Sequence, residues 1–337
     1  MKNRWDQIRW GSAQAGVSLS LASSGWLLSG LTPSPLINSL LPALTTLPAL
    51  LPLKRRAGAF CWIVCGAVAL LIVCSPAVTA VQTQLLVITV LMAGLMIALG
   101  QDMSQLPLQL QLLRAPQLNF PQLRRASEIG ALLGFCLTGL IQPGVHQFIP
   151  AALLLLPLLP LACRSQANPL QSLSLPRFNR EAALQGLLFG GFFGLLPLWV
   201  RSIAEGNCLN FGMVLAAYGL GRTLLNNKIP ALQSSWHLYV VLGALLGLGQ
   251  LLPGWMTTVL FLPIGTLAAA TDRQLVARLM PNDPAQGWQM LQRSGSIGGL
   301  AGVLFMGGLA QWLGLPLSLG LQLVLFVTAP LLMRTIR

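Results

Sequence analysis

Apolar runs cut by proline, glycine or charge recur along the first half of the chain at 11–31, 35–53, 57–74, 77–100, 128–145 and 147–163. Six more follow at 184–203, 208–225, 236–252, 255–271, 295–313 and 315–333. Each approaches the roughly 20 residues that an α-helix needs to cross the hydrocarbon core of a bilayer, several lying near the short limit. Runs this apolar predict helices surrounded by lipid or by one another, not helices with a wet face. The expected fold class is therefore an all-α integral membrane protein with twelve transmembrane helices. The polar segments 102–127 and 272–294 mix Leu with Gln and Arg, contain proline, and are expected to lie along the cytoplasmic membrane interface.

The pattern is used twice. Arg125-Ala-Ser-Glu-Ile-Gly-Ala-Leu-Leu-Gly134 returns 168 residues later as Arg293-Ser-Gly-Ser-Ile-Gly-Gly-Leu-Ala-Gly302. At the same offset Gly139 meets Gly307, Pro116 meets Pro284, Leu99 meets Leu267, and Lys54 falls on Arg222. A doubled half in so apolar a chain is the mark of a secondary transporter. Six spans per half, an even number, put both halves into the membrane in the same direction. The expected domains are a six-helix bundle over 1–163, a cytoplasmic linker over 164–182 and a second six-helix bundle over 183–337. Pro169 and Pro176 keep the linker from forming one continuous helix.

Composition agrees with the membrane reading. Of 337 residues, 55% are apolar and 8% charged, and the mean hydropathy is +0.72. A soluble domain carries about 25% charged residues. The net charge of +13 would suggest nucleic acid in a soluble protein, but its distribution reports topology instead. With the N-terminus in the cytoplasm, every one of the 20 basic residues except Arg201 falls on the cytoplasmic side, as the positive-inside rule requires. Both termini are then cytoplasmic, and no nucleic-acid partner is expected. Lys2, Arg4 and Arg9 resemble the start of a signal peptide, yet the apolar run behind them is long and another follows at once, so a retained first helix is expected. The six cysteines lie in or beside spans without metal or redox spacing, and are expected to act as small apolar packers.

Several stretches carry a resemblance. Ala22-Ser-Ser-Gly-Trp-Leu-Leu-Ser-Gly-Leu-Thr-Pro-Ser-Pro-Leu36, with the second span and basic loop behind it, resembles the opening of major facilitator superfamily proteins. The drug and siderophore exporter branch is the nearest likeness. Leu196-Pro-Leu-Trp-Val200 with Phe211-Gly-Met-Val-Leu-Ala-Ala-Tyr-Gly-Leu-Gly221 is similar to the seventh and eighth helices of that branch, and Asp272 through Gly314 to its tenth-to-eleventh connection and eleventh helix. The resemblance implies that spans one, four, seven and ten line a central cavity. One departure stands out. The family's loop between helices two and three usually reads Gly-x-x-x-Asp-Arg-x-Gly-Arg-Arg, where the carboxylate helps close a gating charge network. Here Pro52-Leu-Lys-Arg-Arg-Ala-Gly58 keeps the basic cluster and lacks the acid.

Candidate chemistry is sparse. Only seven carboxylates are present, and none sits near the middle of a run, so proton coupling through a buried acid is disfavoured. Glu128 opens the fifth span beside Arg124 and Arg125. It reads as an acid stabilised at a helix N-terminus and paired with those arginines, with a gating or coupling role as the sharper alternative. Lys54, Arg55, Arg125, Arg222 and Arg293 are the basic gating candidates. Arg201 and Glu205, four apart, are expected to form an exposed rim pair. Pathway candidates are uncharged: Gln14 and Ser18, Gln82 and Thr89, the stripe Gln185, Phe189 and Phe193, and Thr257 with Thr258. The glycine pairs Gly130/Gly134 and Gly298/Gly302 have the spacing of close helix packing. No enzyme, metal-ligand or cofactor motif is present, so catalysis and cofactors are not expected. The expected partners are the lipid bilayer and a small-molecule solute. The expected function is a secondary transporter moving a small apolar or amphipathic solute by alternating access. The alternative is a transporter-like protein that assembles, or delivers pigment or lipid to, a membrane complex.

Overall fold

The computed structural model describes residues 2–50, 59–73, 83–114, 120–140, 178–202, 206–224, 235–252, 255–279 and 284–336. Among them are eleven helices, numbered here α1 (Lys2–Leu31), α2 (Pro35–Leu50), α3 (Ala59–Val73), α4 (Thr83–Arg114), α5 (Phe120–Leu140), α6 (Arg180–Ser202), α7 (Cys208–Leu224), α8 (Ser235–Leu251), α9 (Trp255–Leu279), α10 (Pro284–Leu313) and α11 (Leu315–Ile336). Each overlaps one of the expected apolar runs. The expected span 147–163 and linker residues 164–177 lie outside the described residues.

The polar segments are largely helical. Residues 102–114 continue α4, 120–127 open α5, 272–279 complete α9 and 284–294 open α10. A change from apolar to polar side chains does not end a helix; only a break in backbone hydrogen bonding does. Gln, Leu and Arg all favour helix, so the spans run on past the apolar stretch.

Local chemistry fixes the turns. Ser34 accepts from the Ile37 amide at 3.4 Å and Pro35 takes the first helical position of α2. Asn179 accepts from the Ala182 amide at 2.9 Å to start α6, and its own amide donates to Ser294 Oγ at 3.0 Å on α10. Gly314 alone separates α10 from α11, with φ 85°, a left-handed conformation that only glycine adopts without strain.

The outward surface is apolar. Leu85, Ile88 and Met92 form an exposed stripe on α4, as do Leu317, Leu321, Val324 and Leu331 on α11. In water such stripes would be a liability; against acyl chains they are the favourable face. Among the described residues, four helices hold a stretch long and apolar enough to cross a membrane: Thr83–Met103, Arg180–Ser202, Gly287–Leu313 and Leu315–Leu332. The molecule is an all-α, multi-pass integral membrane protein.

Glycine sets the tightest packing. A methyl group built on Gly130 would fall on the Gly11 carbonyl of α1, and one on Gly134 would fall on the Ala15 carbonyl. On the equivalent pair, methyls at Gly298 and Gly302 of α10 would fall on the Ala183 and Leu187 carbonyls of α6. So α1 meets α5, and α6 meets α10, backbone against backbone. Cys61, Cys65 and Cys136 are exposed on the apolar surface, not packed as expected, while Cys208 is buried.

Candidate functional site

The first five helices meet the last six along two seams, α2 against α10 and α5 against α7. Helices α5 and α7 run antiparallel. Gly139 lies on Gly212 at one end, Gly219 faces Leu132 and Phe135 in the middle, and the charged groups cluster at the other end.

That cluster centres on Arg222, near the end of α7. Its Nε donates to Glu128 Oε2 at 2.7 Å and its Nη2 to Glu128 Oε1 at 2.8 Å, a bidentate fork across the seam. The same Nη2 donates to Asp272 Oδ2 of α9 at 2.8 Å, and Nη1 to the Tyr218 hydroxyl at 3.2 Å. Arg124, one turn before Glu128, lies 3.8 Å from Glu128 and 3.9 Å from Asp272. It also donates to the Ala269 carbonyl at 3.2 Å and sits over the Trp288 ring at 5.1 Å. Gln185 of α6 completes the group, its Nε2 donating to Asp272 Oδ1 at 2.6 Å and to Thr271 Oγ1 at 3.2 Å. The four charged side chains are only 8–17% exposed, two cations facing two anions, with Arg273 nearby as a further cation. Glu128 accepts its short hydrogen bonds from Arg222, and Arg124 stands beside it at 3.8 Å, as the sequence leads one to expect. Arg125 is exposed. Arg293 is half-buried and has a partner of its own. Lys54 and Arg55 lie outside the described residues.

Asp272 and Tyr218 are participants not singled out from the sequence. Asp272 stands where the apolar run of α9 gives way to polar residues, which looks like an ordinary span edge. The available signal was positional: Asp102 and Asp272 each close the fourth apolar run of a half.

The pathway candidates divide. Phe189 and Phe193 stack at 6.4 Å and join an aromatic layer, Phe189 edge-on to Phe326 at 5.5 Å and Phe193 against Tyr218 at 4.7 Å. Gln14 is half-buried and has a partner. Three candidates make scaffold contacts. Ser18 is buried against α5, where a methyl on Gly134 would come 2.9 Å from its Cβ. Thr257 donates to the Leu252 carbonyl at 2.6 Å and the Gly249 carbonyl at 3.1 Å, tying α9 to the end of α8. Thr89 bonds its own helix at the Leu85 carbonyl, 2.7 Å away. Hydroxyls bond nearby carbonyls readily, and that local option won here. Thr258 is half-buried, and Gln82 lies outside the described residues.

At the opposite end Arg201 also departs from expectation. Its guanidinium turns inward: Nε donates to Ser29 Oγ at 3.1 Å, Nη2 to the Trp26 carbonyl at 3.1 Å, and the group lies 4.0 Å from the Trp26 ring centre. Glu205, its expected rim partner, lies outside the described residues.

No protein-family profile matches the chain, and no curated protein matches it in sequence. Solved structures do. A crystal structure of the nucleoside transporter NupG aligns with TM-score 0.57 at 13% identity, covering 98% of this chain and 97% of that one. A bacterial homologue of the human lysosomal transporter Spinster, in an inward-facing and occupied conformation, aligns with TM-score 0.65 at 12% identity, over 98% and 95%. These are transporters of the major facilitator type, and the chain has a major-facilitator-like fold. It spans nearly the whole length of both neighbours.

Proposed function

We propose that the protein is a secondary transporter whose two halves, 1–163 and 183–337, rock about a midplane solute site. The observation that carries this is the Glu128–Arg222 fork, which joins the halves at one end of the seam. Carboxylate and guanidinium can exchange protein for water there when that end opens, as alternating access demands. Twelve spans in two parallel repeats are favoured by the glycine contacts, because Gly130/Gly134 on α1 and Gly298/Gly302 on α6 repeat one arrangement. We place both termini, and so the Arg222 end, in the cytoplasm.

The solute is small and apolar or amphipathic. Phe189, Phe193 and Tyr218 offer it ring faces, and Gln14 and Gln185 offer amides. Buried-carboxylate proton coupling is not part of the mechanism, since Glu128 and Asp272 are each ion-paired with Arg222. The amphipathic character of nucleosides, carried by the NupG neighbour, makes them a sensible first panel beside lipophilic amines. Flux into proteoliposomes is expected in the parent and is expected not to respond to an imposed pH gradient. Gradient-driven flux that disappears in Glu128→Gln would instead make Glu128 the coupling site. The assembly-factor reading has no geometric feature or comparison in its favour; stoichiometric copurification of a membrane protein, with no flux for any solute, would replace transport with it.

A further inference from the structure

Arg201 stands apart from the other basic residues in both place and company. It ends α6, from the second half, yet its side chain lies on α1, from the first. Its three contacts use a hydroxyl, a main-chain carbonyl and an indole face, all within one turn of α1. Gly30 makes room for it: a methyl there would press on the guanidinium at 3.1–3.3 Å. The Trp26 ring beneath it stacks on Phe211 of α7 at 5.4 Å, a second link between halves. Around it the same end is closed by Ser34 donating to Gln311 at 2.8 Å and by Cys208 Sγ donating to the Thr138 carbonyl at 3.5 Å.

We infer that Arg201, seated on Trp26 and Ser29, is the latch that holds this end of the protein shut. The inference rests on the two-half reading, but it concerns a resting conformation and needs no solute. The Arg201 contacts hold charge against neutral acceptors. The Ser34–Gln311 and Cys208–Thr138 bonds are neutral, and hydrogen bonds to a charged group are the stronger class. Cation–π contact adds to them where water is excluded. Loss of Arg201 therefore shifts the end towards open, leaving the weaker contacts to follow.

Cys208 is a built-in reporter, because it is buried at this seam. The test keeps Cys208 and replaces Cys61, Cys65, Cys74, Cys136 and Cys163 by serine, then measures its rate of reaction with a water-soluble maleimide in nanodiscs. In Arg201→Ala the rate is expected to rise about tenfold or more, because labelling follows the open population. A rate equal to that of the Arg201-containing protein overturns the latch. A companion protein lacking all six cysteines and carrying Met306→Cys, a position buried within the second half, must stay protected in Arg201→Ala. If that site also labels, the variant has unfolded, and Ser29→Ala decides, since it removes one acceptor and leaves the rest. Faster Cys208 labelling in Ser29→Ala supports the latch, and an unchanged rate overturns it. Flux measurements can fail without touching this outcome, so the two readings are judged separately.

Discussion

Arg222 holds two carboxylates at once, and that distinguishes it from a surface ion pair. Glu128 is gripped by two nitrogens and Asp272 by one, with all three side chains mostly out of water. Removing one partner of such a pair leaves a charge poorly solvated. Glu128→Gln and Arg222→Gln should each destabilise the protein. Their double-mutant cycle, measured by unfolding in mixed micelles, is expected to give a coupling of about 2 kcal/mol. A coupling under roughly 0.5 kcal/mol, the range of exposed pairs, would make the fork incidental. Residues were also where the sequence was hardest to read. Glu128 and Arg222 were both legible as gating candidates, but not as partners, because they lie 94 positions apart and the repeat pairs neither with the other. Thr257 and Ser18 have the composition of pathway residues, and the scaffold contacts they make are visible only in the structure.

At the scale of helices the sequence was far more informative. Every described helix overlaps an expected apolar run, because length and continuity of apolar residues are one-dimensional properties. Helix ends were less legible, as α4 and α9 carry polar residues beyond the span without interruption. The glycine repeats were readable as packing signals, and they yield a graded expectation. Gly298→Ala should cost several kcal/mol, since its methyl would occupy the Ala183 carbonyl and backbone cannot rotate away. Gly308→Ala, two turns and more along the same helix with nothing within 4 Å, should be neutral or gain up to about 1 kcal/mol from helix propensity. Unfolding of the two variants side by side checks both, and equal stability would mean that α6 and α10 can move apart freely.

For the whole molecule, sidedness is the quantity that remains to be measured. The basic asymmetry expects a reporter fused after Lys54 and one fused after Arg201 to lie on opposite faces. Both on one face would remove the twelve-span arrangement. The architecture also carries a mechanical consequence. Gly11 on Gly130 and Ala15 on Gly134 leave no side-chain cushion between α1 and α5, so the pair behaves as a single rod. One end of that rod carries Glu128, gripped by Arg222, and the other carries Trp26, beneath Arg201. Under the proposed rocking, a tilt that frees the first end would drive the second deeper into its seat, as the two pans of a balance cannot both rise. Mutual exclusion of the two openings would then come from the stiffness of one glycine-welded lever, with no signal passing between the latches.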